Sequence, residues 1–324
     1  KNCLMETAKE KLGKKIIFVS GPTAAGKSQW ALQQALKYQG AIVNCDSVQL
    51  YREVDIGSSK PSASERNLVP HYLYDYVSFP TEMTAGQFCR DFFELIPTLK
   101  ESVIFVVGGT GFYFQAIEQG MYPVKTVKEE VKSKIQEDII KLGFLKIYDW
   151  LKERDPEYAA KISVNDHYRI ERAYELMISE GRSVTDIQRE FQAQAKKFPY
   201  PLLKVGITGD KDFLLKKVAH RTEKMLNQGL IEEVKFLLSQ GYGSWAPLSS
   251  VGYKEVVEFL EQGKDLAWLS EEVVKNTMKL IKKQKTWFQR DKAIKQINNW
   301  APSESGDIEK NILAELDRFV TCSG

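Results

Sequence analysis

The sequence predicts an α/β protein with a doubly wound parallel sheet, interrupted by a helical insertion subdomain. Three short apolar runs lie within the first 120 residues, and each is followed by a loop and then by a helical pattern. Continuous apolar runs are typical of strands buried on both faces, and their alternation with helices indicates parallel βαβ units. Between residues 121 and 199 such runs vanish and amphipathic helical patterns replace them, which indicates an inserted helical block.

The first apolar run, residues 16–19, leads into the most informative motif of the chain. The motif matches G-x-x-x-x-G-K-[ST], the pattern of a phosphate-binding loop (P-loop), and consists of Gly21, Pro22, Thr23, Ala24, Ala25, Gly26, Lys27 and Ser28. Apolar residues recur at helical spacing after it, so the motif has the strand and the helix that it requires. In such loops backbone N–H groups surround phosphate oxygens, the lysine adds positive charge and the serine hydroxyl can hold Mg²⁺. These features predict a P-loop NTPase-like core that binds a diphosphate or triphosphate.

The second strand, predicted over residues 41–45, ends at Asp46 and Ser47. Ligands bind at the carboxyl ends of strands in open α/β sheets, so Asp46 is a candidate site residue. Three interpretations of Asp46 stay open at this point. Its carboxylate can bind Mg²⁺ through water, accept a proton from an attacking amine or hydroxyl, or cap the next turn.

The third strand, predicted over residues 103–107, is followed by Gly108, Gly109, Thr110 and Gly111. Glycines let a substrate approach the backbone, and the Thr110 hydroxyl can donate a hydrogen bond to a phosphate or bridging oxygen. The same residues also suit an ordinary strand-to-helix turn, here into a helix over 112–119. Because the loops after all three strands lie at carboxyl ends, we expect them to converge at one edge of the sheet.

The remaining chain is predicted to be largely helical. We expect a loop-rich stretch at 51–84, one further strand at 202–207, and helices at 85–99, 127–141, 167–180, 213–240, 252–260 and 271–290. Because a strand follows the helical block, residues 122–199 are predicted to be a helical insertion domain. Residues 14–121 and 200–317 are predicted to form the α/β core with its C-terminal helices.

Composition bears on the compartment and the class of protein. The 324 residues carry a net charge of only +3, which does not by itself indicate a nucleic-acid binder. The four cysteines lack C-x-x-C spacing, which argues against a zinc site, and Cys45 is expected to be a buried thiol in a reducing compartment. No apolar run approaches the length of a membrane span and residues 1–15 lack a signal-peptide core, so we expect a cytoplasmic protein. Nothing in the sequence requires more than a monomer.

Basic residues cluster near the end of the chain, with Trp287 and Phe288 among them: Lys275, Lys279, Lys282, Lys283, Lys285, Arg290 and Lys292. Basic residues with interleaved aromatic side chains suit looped or single-stranded RNA, but a charge run is more often a solvated face. A second pair, Arg169 and Arg172, lies on one face of a predicted helix. Arg221 is either a solvated arginine or a ligand of a leaving diphosphate.

Taken together and in order, these motifs resemble the tRNA dimethylallyltransferase family of bacterial type, also called tRNA isopentenyltransferases. The P-loop carries the resemblance with segments at 46–51, 57–61, 69–71, 108–113, 165–173, 229–234, 251–253 and 283–288. The resemblance implies transfer of a dimethylallyl group from dimethylallyl diphosphate to N6 of adenosine 37, next to the anticodon of tRNAs that read codons beginning with U. It also implies that diphosphate leaves, that Mg²⁺ assists, and that the adenine flips out of its stack.

The resemblance implies a role for each matching residue. The P-loop and Arg221 would hold the diphosphate, with Ser28 on Mg²⁺. Asp46 would take the proton from N6, and Thr110 would assist at the reacting centre. The residues implied to contact the anticodon arm are Asp46, Ser47, Val48, Gln49, Thr110, Lys132, Tyr168, Arg169, Arg172, Ser249, Val251, Gly252, Tyr253, Lys254, Lys282, Lys283, Gln284 and Trp287. Lys132 stands where the family usually has an arginine, and Tyr168 where it often has a glutamine.

Three other functions fit part of the sequence. An adenylate isopentenyltransferase would prenylate free AMP, ADP or ATP by the same chemistry, but it would not need the basic C-terminal helix. A P-loop kinase or NTPase would need an acidic residue at the end of the strand over 103–107, which instead ends at Gly108 and Gly109. An RNA-binding protein without enzymatic activity would leave the intact P-loop unexplained.

Overall fold

The computed structural model describes residues 13–121, 129–194, 197–298 and 302–322. Its centre is a six-stranded sheet in the order β3-β2-β4-β1-β5-β6, and every pairing is parallel. The strands are β1 (Lys15–Ser20), β2 (Ala41–Asn44), β3 (His71–Tyr72), β4 (Val103–Gly108), β5 (Leu202–Thr208) and β6 (Lys295–Asn298). The predicted class, a doubly wound parallel sheet, is confirmed.

One or more helices separate each strand from the next. They are α1 (Lys27–Lys37), α2 (Ala63–Leu68), α3 (Ala85–Leu95), α4 (Gly111–Gln119), α5 (Glu129–Arg154), α6 (Pro156–Ala159), α7 (His167–Glu180), α8 (Val184–Gln194), α9 (Lys211–Asn227), α10 (Leu230–Ser239), α11 (Tyr253–Gln262), α12 (Leu266–Phe288) and α13 (Pro302–Thr321). None of the helices in the described ranges is long and apolar enough to cross a membrane.

The central strand β1 lies between β4 and β5, and its carboxyl end carries the P-loop. Ser20, the last residue of β1, is in register with Gly108 of β4 and with Gly206 of β5. Asn44, the last residue of β2, is in register with Val107. The carboxyl ends of β1, β2 and β4 therefore meet at one edge, because parallel strands in register end together.

The chain divides into two compact units, Lys1–Glu118 with Phe198–Gly324, and Gln119–Lys197. The first unit contains the sheet, and its core includes Ile17, Phe105 and Val205 from the three central strands. The second unit is helical and has its own core, which includes Leu151 and Ile170. Each unit buries apolar side chains from successive helices, as compact domains do.

Several sequence predictions for the helices are wrong in detail. The helix expected over 213–240 is two helices, α9 and α10, because Gly229 between them has a left-handed φ of 98° that interrupts the helical conformation. In the helical unit, α5 consists of two helices joined at a kink, where Gly143 has a non-helical φ of 78°. The predicted end at residue 141 lies close to the end of the first of these helices, and the second was not predicted. The start of that predicted helix, residues 127 and 128, lies outside the described residues. The helix expected over 85–99 ends at Leu95 and continues as a short 3₁₀ turn that contains Pro97.

Outside the predicted helical block, α2 in the loop-rich stretch and three further elements have no counterpart in the sequence predictions. The edge strand β3 has only two residues and lies in the stretch predicted as loop, while β6 is a four-residue strand in a polar segment. Short edge strands lack the apolar run that identifies a buried strand. The third element, α13, packs Ile312 and Leu316 into the main core beside the sheet.

Candidate active site

Two glycines give the P-loop its shape. Gly26 takes a left-handed φ of 93° as the N-cap of α1, which suits a residue without a Cβ atom. Gly21 has a φ of 140°, and a Cβ atom there would lie 2.1 Å from the carbonyl oxygen of Ile207. The loop backbone therefore lies directly against β5, and only glycine fits at residue 21. The end of β1 and the start of α1 hold the loop in the geometry that surrounds phosphate oxygens in proteins of this type.

Lys27 is a cation that faces the loop. Its Nζ donates a hydrogen bond of 2.7 Å to the carbonyl oxygen of Pro22. Burial lowers the pKa of Lys27 to about 8, the charge of Asp46 opposes this shift, and Arg221 adds to it. No carboxylate forms an ion pair with Lys27 among the residues that the structure describes. Two neighbouring cations without a carboxylate ion-pair partner suit an anionic ligand, because a bound anion favours their charged forms.

Arg221 joins the P-loop from α9. Its Nη1 donates a hydrogen bond of 2.7 Å to Oγ1 of Thr23, across 198 residues of sequence. Burial lowers the pKa of the guanidinium, and the charge of Asp46 acts in the opposite direction. The sequence left open whether this arginine is solvated, and the structure places it against the P-loop. Its planar group of donors suits the oxygens of a diphosphate.

Asp46 lies at the end of β2 in a turn that Asn44 organises. The backbone N–H of Asp46 donates to Oδ1 of Asn44 at 2.9 Å, and Nδ2 of Asn44 donates to the Asp46 carbonyl at 3.1 Å. The N–H of Val48 donates to Oδ1 of Asp46 at 3.0 Å. Asp46 thus caps its own turn, as one interpretation of the sequence expected, and its charge also acts on Lys27 and Arg221. Capping through Oδ1 and a chemical role for the carboxylate are therefore compatible.

Thr110 is joined to the same turn from the end of β4. Its hydroxyl donates to Oγ of Ser47 at 3.2 Å and accepts from the Ser47 N–H at 3.0 Å. Gly108 makes this approach possible, because a Cβ atom there would lie 1.9 Å from the carbonyl oxygen of Cys45. Cys45 is a buried free cysteine, as predicted, and burial raises the pKa of its thiol.

Gln284 connects two of these loops from α12. Its Oε1 accepts the backbone N–H of Thr23 at 2.9 Å, and its Nε2 donates to the Gly109 carbonyl at 3.0 Å. Trp287, one turn further along, packs over Gly111, where a Cβ atom would lie 2.1 Å from the indole ring. Sequence reasoning gave both residues only as tRNA contacts. A hydrogen bond across 261 residues has no local signal in the sequence.

The exposed basic side chains of α12 are fewer than the sequence suggests. Lys282 and Lys283 are exposed, whereas Lys285 is half-buried and donates to the Gly209 carbonyl at 3.1 Å. Lys275 pairs with Glu272 at 2.8 Å. Lys279 is also exposed and donates to Oδ1 of Asn276 at 2.9 Å, so the candidate RNA-facing charge of this helix lies mainly on Lys279, Lys282 and Lys283.

The segment over 249–254 presents both exposed and buried residues. Ser249 and Lys254 are exposed and Val251 is half-buried, but Gly252 is buried and Tyr253 has no exposed surface. The Tyr253 hydroxyl donates a hydrogen bond to Glu233, and its ring packs against the backbone at Gly57. The ring therefore belongs to the core, and a tRNA contact at Tyr253 stays a prediction that cannot use the side chain in this conformation.

Gln49, another implied tRNA contact, also makes internal hydrogen bonds. Its Nε2 donates to the carbonyl oxygens of Ser58 and Ser59 at 3.0 and 3.2 Å. The side chain is only half-buried, like those of its neighbours Asp46, Ser47 and Val48. This internal pairing indicates that Gln49 orders the loop over 57–60, in addition to any contact with a ligand.

The helical unit carries the four remaining residues implied to contact tRNA. Lys132 on α5 is exposed, and Tyr168 on α7 has 78% of its surface exposed. Arg169 pairs with Asp166 at 3.4 Å, and Arg172 pairs with Glu175. Tyr168 and Arg169 are thus neighbours on the exposed surface of α7.

A Mg²⁺ site of the P-loop type fits the residues that are present. Within the described parts of the chain no group of three or more His, Cys, Asp or Glu side chains could hold a metal ion. Mg²⁺ in P-loop proteins needs no such cluster, since it takes most of its ligands from phosphate oxygens and water. Ser28 is exposed in the first turn of α1, next to Lys27, where its hydroxyl can supply the protein ligand.

The parallel sheet, the P-loop at the central strand and the carboxylate one loop away define an α/β protein of the P-loop type. A family model described as IPP transferase matches residues 49–291, and one described as isopentenyl transferase matches residues 14–77. The chain belongs to the IPP transferase family, which confirms the resemblance that the motifs carry.

Relatives and solved structures agree with this assignment. A tRNA dimethylallyltransferase of Bdellovibrio bacteriovorus is 52% identical over 93% of this chain and 97% of its own length. One from Halothermothrix orenii is 34% identical over 94% of this chain and 92% of its own. The crystal structure of a full-length tRNA isopentenylpyrophosphate transferase from Bacillus halodurans matches with a TM-score of 0.67 and 27% identity, covering 94% of this chain and 98% of that one. A eukaryotic dimethylallyltransferase acting on tRNA shares the fold, with a TM-score of 0.77 at 22% identity over 95% of this chain and 84% of its own.

Proposed function

We propose that this protein transfers a dimethylallyl group from dimethylallyl diphosphate to N6 of adenosine 37 in tRNAs that read codons beginning with U. The products are N6-dimethylallyladenosine and diphosphate. One observation supports this most directly: Lys27, Arg221 and Asp46 act electrostatically on one another at the carboxyl edge of the sheet. Two cations beside a P-loop suit a leaving diphosphate, and a carboxylate beside them suits an amine that must lose a proton.

The diphosphate is held by the P-loop backbone and by the two cations. Lys27 and Arg221 both donate hydrogen bonds to the loop, Lys27 to the Pro22 carbonyl and Arg221 to the Thr23 hydroxyl. When the C–O bond of the donor breaks, its electron pair leaves with the diphosphate, and both side chains neutralise the added charge. Groups that are already in place stabilise such charge without reorganisation, which makes them effective in catalysis.

Asp46 takes the proton at the other side of the reaction. The N6 lone pair forms the new bond to C1 of the allyl group as the bond from C1 to the diphosphate oxygen breaks. The amine then carries one proton too many, and the Asp46 carboxylate accepts it. Thr110, held against Ser47, orients the turn that carries Asp46. A positioned base of this kind contributes about 10²- to 10⁴-fold to the rate.

Mg²⁺ is the metal that this chemistry implies, and Ser28 would be its protein ligand. When bound, the ion supplies further neutralisation of the diphosphate charge. The chain itself supplies positive charge through Lys27, whose Nζ lies within the P-loop and donates to the Pro22 carbonyl.

The acceptor is an RNA loop that binds through exposed basic and aromatic side chains. On the sheet-containing unit these are Lys282 and Lys283 of α12 and Lys254 of α11. Ser249, a polar residue close to Lys254 in the sequence, is also exposed. On the helical unit they are Tyr168 and Arg169. Phosphate contacts position an RNA, and an exposed aromatic ring can stack on an unpaired base. The reacting adenine must also leave its stack to reach the site.

We further propose that the protein acts as a monomer in the cytoplasm. The cytoplasm contains tRNA and is a reducing compartment, which suits a free thiol such as that of Cys45.

Prenylation of free AMP is the alternative, and the isopentenyl transferase match over residues 14–77 does not distinguish between the two acceptors. That stretch contains the P-loop and Asp46, which either acceptor would need. The match over 49–291 extends through α12 and its exposed lysines, which free AMP would not need. The shared chemistry and the additional basic surface together favour tRNA.

A direct assay separates these possibilities. The protein is incubated with labelled dimethylallyl diphosphate, Mg²⁺ and one of three acceptors, and the nucleosides are then analysed. The acceptors are an unmodified anticodon stem-loop, AMP, and the same stem-loop with inosine at position 37, which lacks the N6 amine. We expect label only in the first. Preference for AMP would replace the acceptor in this proposal. ATP hydrolysis without a prenyl donor would indicate an NTPase instead.

A further inference from the structure

One side chain, Gln284, joins the two loops on which the proposed chemistry depends. It lies near the end of α12 and is half-buried. Each end of its side-chain amide forms one hydrogen bond. Oε1 accepts the Thr23 N–H at 2.9 Å, and Nε2 donates to the Gly109 carbonyl at 3.0 Å. Thr23 belongs to the P-loop, and Gly109 precedes Thr110. The amide therefore spans the gap between the diphosphate side and the base side of the site.

The two loops are shaped to receive this helix. A Cβ atom at Gly109 would lie 2.4 Å from Nε2 of Gln284, and one at Gly111 would lie 2.1 Å from the Trp287 ring. Neither glycine has a left-handed backbone that would itself require glycine. Close approach of α12 is therefore the physical reason for both glycines.

Thr23 is consequently held at two atoms by two helices. Arg221 of α9 bonds its hydroxyl at 2.7 Å, and Gln284 of α12 bonds its backbone N–H. An amide that donates to Gln284 fixes the peptide plane at the start of the P-loop. Fixed peptide planes matter because a loop that binds an anion through backbone N–H groups works best when they are already oriented.

We propose that Gln284 is a positioning residue for prenyl transfer, which sets the spacing between the P-loop and the loop over 109–110. This inference rests on the proposed function and adds a role that differs from the tRNA contact implied by the resemblance. Lys282 and Lys283 are exposed in the same turn, while the Gln284 amide is committed to Thr23 and Gly109. Helix α12 thus exposes two lysines that suit RNA, and its Gln284 side chain holds the two loops of the donor site together. We call these two hydrogen bonds of Gln284 the clamp.

The first test replaces the amide with a group of similar length that cannot form either hydrogen bond. Gln284→Met should lower kcat/KM for dimethylallyl diphosphate by about tenfold, since each neutral hydrogen bond contributes roughly twofold to tenfold to an equilibrium. The Kd for the anticodon stem-loop should change by less than about twofold, within ordinary surface effects. Gln262→Met makes the same substitution at an exposed position in α11 and should leave both constants unchanged.

The second test displaces the amide without removing it. Gly109→Ala puts a methyl group 2.4 Å from Nε2 of Gln284, while the next contacts are ordinary at 3.5 and 3.6 Å. Gly109→Ala alone and Gln284→Ala alone should therefore cause similar losses in kcat/KM. The double variant should be no worse than Gln284→Ala, because no amide remains to be displaced.

Three outcomes would overturn the inference. They are an unchanged kcat/KM in Gln284→Met, losses that multiply in the double variant, or a tenfold weaker stem-loop Kd with an unaltered KM for the donor. Failure of the proposed function gives a different pattern, in which the wild-type protein prenylates no RNA. In that case calorimetry with inorganic diphosphate still tests the clamp, since Gln284→Met should weaken diphosphate binding relative to Gln262→Met. Equal diphosphate affinities would then refute it.

Discussion

Replacing Asp46 with asparagine removes the proposed base and leaves its turn intact. The Val48 N–H can still donate to the amide oxygen that replaces Oδ1, so the 3.0 Å hydrogen bond is kept. The two hydrogen bonds between the Asn44 side chain and residue 46 use only the backbone of residue 46 and do not depend on its side chain. Asp46→Asn therefore isolates the loss of a charge and of a proton acceptor.

The expected loss lies in the chemical step. A positioned base contributes about 10²- to 10⁴-fold, which corresponds to roughly 3 to 5.5 kcal/mol of transition-state stabilisation. Removing the negative charge has two opposing effects on diphosphate binding: it removes the repulsion between Asp46 and the diphosphate, and it removes the interaction that opposes the lowering of the Lys27 pKa. We expect single-turnover rates at about pH 7 to fall within that range, with a KM for dimethylallyl diphosphate that changes much less than the rate.

Single-turnover prenylation of the stem-loop, measured beside RNA binding by filter retention, gives both quantities. The matched control is Asp307→Asn, because the Asp307 side chain is 94% exposed and its ion pair with Lys310 is long, at 3.7 Å. Exposed pairs of this kind contribute about 0 to 1 kcal/mol, so the control should keep full activity. A rate for Asp46→Asn within about threefold of the wild type would refute the assignment of Asp46 as the base.

Three further results follow from the structure. Lys27 has a pKa lowered to about 8. In the proposed function its protonated form binds the diphosphate, so KM for the donor should rise as pH increases through about 8, and Lys27→Arg should lack this limb of the profile. Gly108→Ala places a Cβ atom 1.9 Å from the Cys45 carbonyl oxygen, so it should lower the free energy of unfolding in urea titrations by about 1 to 3 kcal/mol. The control, Gly86→Ala in α3, brings its Cβ atom no closer than 3.9 Å to another group and should raise the free energy of unfolding by about 0.5 to 1 kcal/mol. Lys283→Ala should weaken stem-loop binding and reduce the slope of log Kd against log salt by about 1, and an unchanged slope would exclude a phosphate contact by this side chain.

The parts of the fold that the sequence predicted well are those with strong local patterns. The strand expected over 103–107 is β4, and the helix expected over 167–180 is α7, which begins at His167 after the Asp166 N-cap. Both have the apolar periodicity and the end signals that identify an element from its own residues. By contrast, β6 reads Lys-Gln-Ile-Asn and is a strand because β5 offers it a parallel partner. Its own sequence contains one buried side chain, Ile297.

The candidate site divides in the same way. The P-loop and Asp46 were predicted from a motif and from the end of a strand, both of which are local. Arg221 was left between two interpretations, because helical spacing cannot reveal a hydrogen bond to Thr23. Tyr253 matched a family segment, yet its ring is buried against Gly57. Membership in a motif fixes a residue's neighbours in sequence, whereas its exposure depends on packing from elsewhere in the chain.

The position of Thr23 shows why the donor site cannot be completed by the P-loop alone. Its hydroxyl and its backbone N–H are bonded by Arg221 and Gln284, which lie 198 and 261 residues further along the chain. The loop therefore takes its observed form only when α9 and α12 are docked on the sheet. Because α12 also exposes Lys282 and Lys283, the element that orders the donor loop is the one proposed to meet the RNA backbone. A small displacement of α12 would lengthen the 2.9 Å hydrogen bond between the Thr23 N–H and Gln284, and so change the position of Thr23. We therefore expect RNA binding at Lys282 and Lys283 to be coupled to the order of the P-loop through α12.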